Sequence, residues 1–242
     1  MISAVISVEP GAKASETDLR ARKVRSNAAI SGSRFERRAS GAKLVPVIDE
    51  FAKEYLLGDL RAVRKVMIAK IDGLSEYDVR RPLTRTGTNL LGLIKHLATW
   101  EARYFGDVFG RPFPAPWPGR GDSGHHLDDM WVRADESRDG IVAHYRQAWE
   151  YSDSTIESLD IDAPGHVPWW PRPNVKLFNV MVHMLNETNR HAGHADILRE
   201  QLDGSLGDGP QRTADREHSA PAWETHRAAI EHEAKAARPD RS

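Results

Sequence analysis

Hydrophobic side chains recur every three or four residues through four long segments of the chain, as they do along one face of an α-helix. These segments run from about Ile48 to Asp72, Asn89 to Val108, Glu136 to Leu159 and Val175 to Leu202. A shorter segment, from Ala222 to Ala237, predicts a last helix. No segment shows a convincing strand-like alternation of polar and apolar residues. The pattern therefore predicts an all-α protein built as a helix bundle.

Capping residues predict where these helices begin and end. Thr88 is the expected N-cap of the second long helix, and Asn174 is the expected N-cap of the fourth. Gly73 lies near the end of the first helix, and Gly204 is the expected stop of the fourth. The connections between the long helices are rich in proline, glycine and tryptophan, so we expect them to be loops.

The chain divides into three regions by composition. Residues 1–44 are rich in Ala, Ser, Gly and Arg and show no sustained apolar period, which predicts a disordered basic tail or an over-extended translation start. Residues 45–204 hold the four long helical segments and form the predicted bundle. Residues 205–242 are predicted to be a linker followed by the C-terminal helix.

Composition narrows the possible functions. The 242 residues include 40% hydrophobic and 29% charged residues with a formal net charge of −1, so we expect neither nucleic acid nor a membrane as a partner. Cysteine is absent, which excludes disulfides, thiolate metal ligands and a cysteine nucleophile. The sequence has no apolar run of about 18 residues and no secretory signal pattern, and we therefore expect a cytoplasmic protein.

Polar side chains interrupt the inward stripe of the fourth helix only in its middle. When the helix is written in sevens, Glu187, His191 and His194 fall within the apolar rows, and His183 falls at their edge. A buried glutamate beside buried imidazoles is costly unless each group is paired or bound to a metal. Two interpretations follow: a metal site, or a hydrogen-bonded His/Glu network in a wet groove that needs no ion.

The opposite side of the fourth helix carries Arg190, Asp196 and Arg199, and we expect this side to face solvent. On the second helix, His96 lies within the apolar pattern and is the obvious partner for the polar residues of the fourth. Taken alone, a histidine among apolar residues is more often a satisfied core residue than a ligand. His96 becomes a stronger ligand candidate because a metal site on the fourth helix would need a third ligand.

Four segments together resemble the DinB-like superfamily, and more closely its actinobacterial "mini-circle protein" subgroup. They are Leu-Ile-Lys-His-Leu at 93–97, Tyr-Phe-Gly-Asp-Val-Phe-Gly-Arg-Pro at 104–112, Gly-His-Val-Pro-Trp-Trp at 165–170, and the His/Glu pattern at 183–200. The resemblance covers about residues 48–204. It implies a four-helix bundle with up-down-down-up connections and a divalent metal between the second and fourth helices. The C-terminal helix is then an addition to the bundle.

The resemblance also implies a ligand set. The positions that match the superfamily's three ligands are His96, Glu187 and His191, with glutamate at the middle position where histidine is usual. Two histidines and a glutamate are a normal set for catalytic zinc with an open coordination position. Zinc is therefore expected, although a carboxylate shifts the balance toward harder ions and keeps nickel, iron and manganese as candidates.

Members of this superfamily include thiol S-transferases that use mycothiol or bacillithiol and a mycothiol-dependent isomerase. The resemblance implies a low-molecular-weight thiol and a small electrophile as partners, and the thiol must be external because the chain lacks cysteine. His194 and His166 are candidates for the general acid or base, and His194 is also a candidate fourth ligand. The tryptophans at 117, 169 and 170 either shape a pocket for the electrophile or pack over the end of the bundle.

Two other functions remain open at this point. One is a metal-dependent hydrolase, in which bound water takes the place of the thiol. The other is a non-enzymatic, stress-related bundle protein that keeps a metal for structure. A homodimer is compatible with a bundle of this kind, but nothing in the sequence indicates one.

Overall fold

The computed structural model describes residues 50–114, 127–206 and 219–237. Predictions for residues 1–44 and for Trp117 lie outside these ranges. The helices are α1 (Glu50–Ala69), α2 (Glu76–Arg80), α3 (Leu90–Phe105), α4 (Arg138–Ser158), α5 (Leu177–Asp203) and α6 (Ala220–Ala236), with a 3₁₀ turn at Asp107–Phe109. The predicted all-α bundle is confirmed. None of the helices within the described ranges is both long enough and apolar enough to cross a membrane.

Contacts at the helix ends define the directions of α1, α3 and α4. At the start of α4, Arg138 Nη2 donates to the carbonyl of Leu74, which follows α1, at 2.9 Å. Helices α1 and α4 therefore run antiparallel. After the end of α3, Arg111 Nη1 donates to Ser158 Oγ, in the last turn of α4, at 2.8 Å. Helices α3 and α4 therefore run parallel.

The remaining long helix, α5, lies between α1 and α3. Near its beginning, the ring of His183 lies 4.7 Å from that of Tyr104 near the end of α3, so these two helices are antiparallel. In its second half, Asp196 pairs with Lys70, which follows α1, so α1 and α5 run in the same direction. The connections are thus up-down-down-up, as the resemblance implies. Because α3 packs against both α4 and α5, nearly all of its residues are buried.

Two of the predicted caps are wrong. Asn89, not Thr88, caps α3, because its side-chain oxygen accepts a hydrogen bond from the Gly92 amide at 2.8 Å. Helix α5 begins at Leu177 with Lys176 at the N-cap position, and the expected cap Asn174 lies in a strand instead. The end of α5 is confirmed, since Gly204 adopts the left-handed conformation with φ of 73°.

The sequence pattern predicts no strands, but the described part of the chain contains two. Strand β1 (Pro164–His166) pairs antiparallel with β2 (Asn174–Lys176), with Gly165 opposite Val175. Strands of three residues are too short to leave an alternation that a sequence can show. The hairpin leads directly into α5, and its loop carries both tryptophans of the Pro-Trp-Trp-Pro segment.

The outer side of α5 differs from the prediction at one position. Arg190 is exposed as expected, and Asp196 is partly buried. Arg199, however, is buried, because its Nη1 donates to the carbonyl of Lys70 at 2.7 Å and its Nη2 pairs with Asp203 at 2.7 Å. The backbone carbonyl after α1 needs a donor, and the long arginine stem can be buried while its head is paired.

Gly92 holds a tight contact between α3 and the loop that precedes α4. A Cβ at Gly92 would overlap the backbone carbonyl of Met130. We therefore expect Gly92→Ala to lower the free energy of unfolding by about 1–3 kcal/mol through overpacking, measured by urea denaturation. The matched control is Gly58→Ala in α1, where the position is exposed and nothing lies near a new Cβ.

Gly58→Ala should stabilise the protein by roughly 0.5–1 kcal/mol, because alanine favours the helix interior. Equal unfolding midpoints for the two variants would contradict the overpacking argument.

Candidate metal centre

Three side chains from two antiparallel helices meet in the bundle. His96 comes from α3, and Glu187 and His191 lie one turn apart on α5; their ligand atoms all lie within 4.8 Å of one another. Glu187 Oε1 is 3.1 Å from His191 Nε2 and 3.9 Å from His96 Nε2. The structure thus brings together the three residues that the resemblance implies as ligands.

These side chains are largely removed from solvent. The exposed fraction is 6% for His191, 12% for Glu187 and 16% for His96. The two imidazole rings are nearly perpendicular, with centroids 5.0 Å apart. A buried set of two imidazoles and one carboxylate is a donor set that suits a divalent cation, since a cation there would compensate the buried negative charge.

The electrostatics of the three residues match their geometry. Hydrogen bonds from His191 and then His96 hold the pKa of Glu187 well below its usual range, although burial opposes this shift. Burial lowers the pKa of His96, but the hydrogen bonds to Asp129 and Glu187 and the charges of these two carboxylates together raise it. A positive charge beside Glu187 is therefore favoured, whether it is carried by a proton on the imidazole or by a bound cation.

His194 lies behind His191 and is not a member of the three-residue set. Its Nδ1 is 3.4 Å from His191 Nδ1, on the other side of the ring from the nitrogen that faces Glu187. Burial, followed by the nearby His191, lowers the pKa of His194, so its imidazole is neutral near pH 7. The geometry places His194 as a neighbour of His191.

The chain matches the mycothiol-S-transferase family over residues 55–204, which is more than half of its length. The chain belongs to the mycothiol-S-transferase family. This family match confirms the resemblance to DinB-like proteins that the sequence motifs indicate. The matched range contains the three residues of the candidate metal centre. No curated protein sequence matches the chain.

An aromatic cluster adjoins the centre of this mycothiol-S-transferase family member; it consists of Trp100, Tyr104, Trp169, Trp170 and His183. The hydroxyl oxygen of Tyr104 accepts hydrogen bonds from the indole nitrogens of both Trp169, at 3.2 Å, and Trp170, at 3.0 Å. These bonds fix the hairpin loop against the end of α3. The ring centroids of Trp100 and Trp169 lie 5.9 Å apart.

The guanidinium of Arg103 lies at the edge of the aromatic cluster. The guanidinium carbon of Arg103 lies 4.7 Å from the ring centroids of both Trp100 and Trp169. Such contacts with two indole faces hold the guanidinium in place. His183 contacts Tyr104 and Trp170, each at 4.7 Å, and burial lowers its pKa. His183 therefore packs within the aromatic cluster and is not one of the three residues of the candidate metal centre.

His166 lies on β1 and is exposed. Its Nδ1 is 3.1 Å from Asn174 Oδ1 on the opposite strand, so its visible partner belongs to the hairpin and not to the three-residue set. Its role as an acid or base stays a prediction.

Asp129, which sequence reasoning missed, lies directly behind His96. Its Oδ2 is 2.7 Å from His96 Nδ1 and accepts a hydrogen bond from Trp100 Nε1 at 2.8 Å. Burial raises the pKa of Asp129, but the hydrogen bond with His96, the charge of His96 and the hydrogen bond from Trp100 together lower it below its usual range. The only hint in the sequence is a pair of aspartates in a loop, and their spacing to His96 carries no periodicity that could connect them.

Proposed function

We propose that this protein is a divalent-metal-dependent thiol S-transferase that joins mycothiol to a small electrophile. The observation that supports the proposal most is the buried set of His96, Glu187 and His191 within a chain of the mycothiol-S-transferase family. We expect the enzyme to act in the cytoplasm, where a low-molecular-weight thiol would be its cosubstrate.

His96, Glu187 and His191 are the proposed ligands, and zinc is the proposed metal. Two imidazoles and a carboxylate suit zinc, while the carboxylate keeps nickel, iron and manganese as candidates. A divalent ion held there would supply Lewis-acid activation, which lowers the pKa of a thiol and makes it nucleophilic near neutral pH.

The position of His194 favours a catalytic centre over a structural one. A structural zinc site has a closed set of four protein ligands, whereas a catalytic site keeps one position for substrate. His194 approaches the Nδ1 side of His191, while Nε2 of His191 faces Glu187. Among the described residues, the proposed set therefore has three protein ligands, which would leave a position for the thiol.

Thiol transfer requires a route for one proton. The thiol sulfur forms a bond to the electrophilic carbon, the leaving group departs with the bonding electron pair, and the thiol proton passes to a base. We assign His194 as this base, because its lowered pKa keeps the imidazole neutral near pH 7 and able to accept a proton. His166 is the second candidate, and it would have to act from the exposed hairpin.

The aromatic cluster is the proposed wall for the electrophile. Trp100 lies one turn from His96 on α3, with ring centroids 6.2 Å apart, so the cluster begins next to a proposed ligand. Its indole rings offer apolar faces, and the hydrogen bonds to Tyr104 hold two of them in position. The alternative is that Trp169 and Trp170 only pack against the core, with which they are in contact.

Thiol transfer is tested by incubating the zinc-loaded protein with mycothiol and monochlorobimane. We expect fluorescent conjugate to form faster than in protein-free mycothiol, and we expect chelation to remove the excess rate and zinc to restore it. The matched control omits mycothiol and supplies a simple thiol such as 2-mercaptoethanol. A rate equal to the background with zinc, nickel, iron and manganese would overturn the proposed transferase.

A hydrolase built on the same centre is the second candidate, because three protein ligands would equally leave a position for water. It predicts metal-dependent cleavage of an activated ester, such as p-nitrophenyl acetate, without any thiol. Ester cleavage together with no thiol conjugation would favour the hydrolase over the transferase.

A further inference from the structure

The nitrogen of His96 that faces away from Glu187 has a carboxylate partner. Asp129 Oδ2 lies 2.7 Å from Nδ1, a distance typical of a charge-assisted hydrogen bond. A carboxylate in this position accepts a hydrogen bond from Nδ1–H, which leaves the lone pair on Nε2. Nε2 is the nitrogen that lies 3.9 Å from Glu187 Oε1. The hydrogen bond therefore presents the metal-binding nitrogen of His96 to the other two proposed ligands.

We infer that Asp129 is a positioning residue, which fixes the tautomer and the ring orientation of His96 for metal binding. The inference rests on the metal centre of the proposed function, but it does not depend on which reaction the centre performs.

Asp129 is itself held in place. The indole of Trp100 donates to the same Oδ2 atom at 2.8 Å, and Trp100 is one helical turn from His96. The side chain of Asp129 is only 14% exposed. One carboxylate oxygen of Asp129 therefore accepts hydrogen bonds from two side chains, His96 and Trp100, on the same face of α3.

The loop that carries Asp129 is fastened to the same helix. Gly92 lets the carbonyl of Met130 approach α3, and Asn89 Nδ2 makes a long contact of 3.4 Å with that carbonyl. One residue further on, the buried Lys95 donates from Nζ to the carbonyl of Trp131 at 3.1 Å. Backbone on the C-terminal side of Asp129 therefore contacts residues 89–95, which precede His96, so the carboxylate is held beside the imidazole.

The second histidine of the centre has a weaker outer partner. Within the described part of the chain, His191 Nδ1 has a contact with Nδ1 of His194, at 3.4 Å, which is long for a hydrogen bond. The two proposed histidine ligands thus differ: His96 Nδ1 has a short contact with a carboxylate, and His191 Nδ1 has a long contact with another imidazole. This difference makes Asp129 the outer contact whose removal should matter more.

The test measures zinc affinity by competition with a chromophoric chelator, in the full chain and without thiol or electrophile. We expect Asp129→Asn, which is nearly isosteric, to weaken zinc binding by roughly 10–100-fold, the range seen for outer-shell partners of metal-binding histidines. The matched control is Asp135→Asn, on the same loop but exposed, where the carboxylate pairs with Arg133 at 3.3 Å. This variant should bind zinc like the wild type.

A second measurement separates positioning from a general structural role. In the zinc-saturated wild type, nuclear magnetic resonance should show the Nδ1 proton of His96 as a protected downfield signal. Asp129→Ala should lose this signal at saturating zinc, because the acceptor is gone. Zinc affinity of Asp129→Asn within about threefold of wild type, or a retained Nδ1 signal in Asp129→Ala, would overturn the inference.

The outcome is independent of the transferase assay. If thiol conjugation fails but Asp129→Asn still weakens zinc binding, the proposed activity is wrong and the role of Asp129 stands. If thiol conjugation succeeds but Asp129→Asn leaves zinc affinity unchanged, the role of Asp129 is wrong and the proposed activity stands.

Discussion

His191→Ala should abolish tight zinc binding and reduce mycothiol conjugation to the background rate. The imidazole is one of three proposed ligands, it is buried, and its Nε2 lies 3.1 Å from Glu187 Oε1. Loss of an outer-shell partner alone weakens metal binding by roughly 10–100-fold, so loss of a ligand should exceed about 100-fold. Competition with a chromophoric chelator measures the affinity, and circular dichroism shows whether the helical content survives.

His183→Ala is the matched control for this variant. It removes an imidazole from the same helix two turns away, but His183 packs against Tyr104 and Trp170 and is not a member of the ligand set. We expect its zinc affinity to stay within about threefold of wild type, equivalent to roughly 0.6 kcal/mol. Equal losses for the two variants would show that the ligand assignment is wrong.

The inward side of α5 could be predicted because helical periodicity is a local property. The spacing from Glu187 to His191 places both side chains on one face of any helix, and the apolar rows around them identify that face as the buried one. His96 needed a second argument, since the 91 residues that separate it from Glu187 have no fixed geometry. The resemblance supplied the pairing of helices, and the structure brings the two residues together.

Asp129 could not be predicted by the same means. It lies in a loop, where no periodicity relates it to a helix face, and its position depends on Gly92 leaving room for the carbonyl of Met130. The same limit explains the hairpin and the displaced cap Asn174. The side chain of Asn174 suits an N-cap, but its backbone pairs with His166 in the hairpin instead.

Charged residues in the core were the other missed feature. Arg64 and Glu101 fall outside the apolar stripes, and hydrophobic patterning assigns such residues to solvent. The structure instead buries both, with exposed fractions of 1% and 0%, and joins Arg64 Nη2 to Glu101 Oε1 at 2.5 Å. Arg64 also pairs through Nη1 with Asp153 on α4 at 2.6 Å. The pairing of three helices decides this burial, and no single helix reveals it.

Arg64→Met should destabilise the protein by about 3–5 kcal/mol, because it leaves Glu101 buried without its partner. Urea denaturation at pH 8 measures the loss. The matched control is Arg61→Met, one turn earlier on α1, whose exposed guanidinium pairs with Asp153 at 2.7 Å and should contribute at most about 1 kcal/mol. Equal losses in the two variants would contradict the burial argument.

The pH dependence of Arg64→Met identifies the cause of its instability. Burial raises the pKa of Glu101 and Arg64 opposes this rise, so the variant should raise that pKa further. Above the unfolded value of about 4.3, the folded state then holds a proton that the unfolded state has lost, and stability falls as pH increases toward the folded pKa. The deficit of Arg64→Met should therefore be smaller at pH 5 than at pH 8. The double variant Arg64→Met, Glu101→Leu should recover much of the stability lost at pH 8, because neither charge of the buried pair remains. If the loss in stability is independent of pH and Glu101→Leu does not relieve it, the cause is lost packing of the arginine stem.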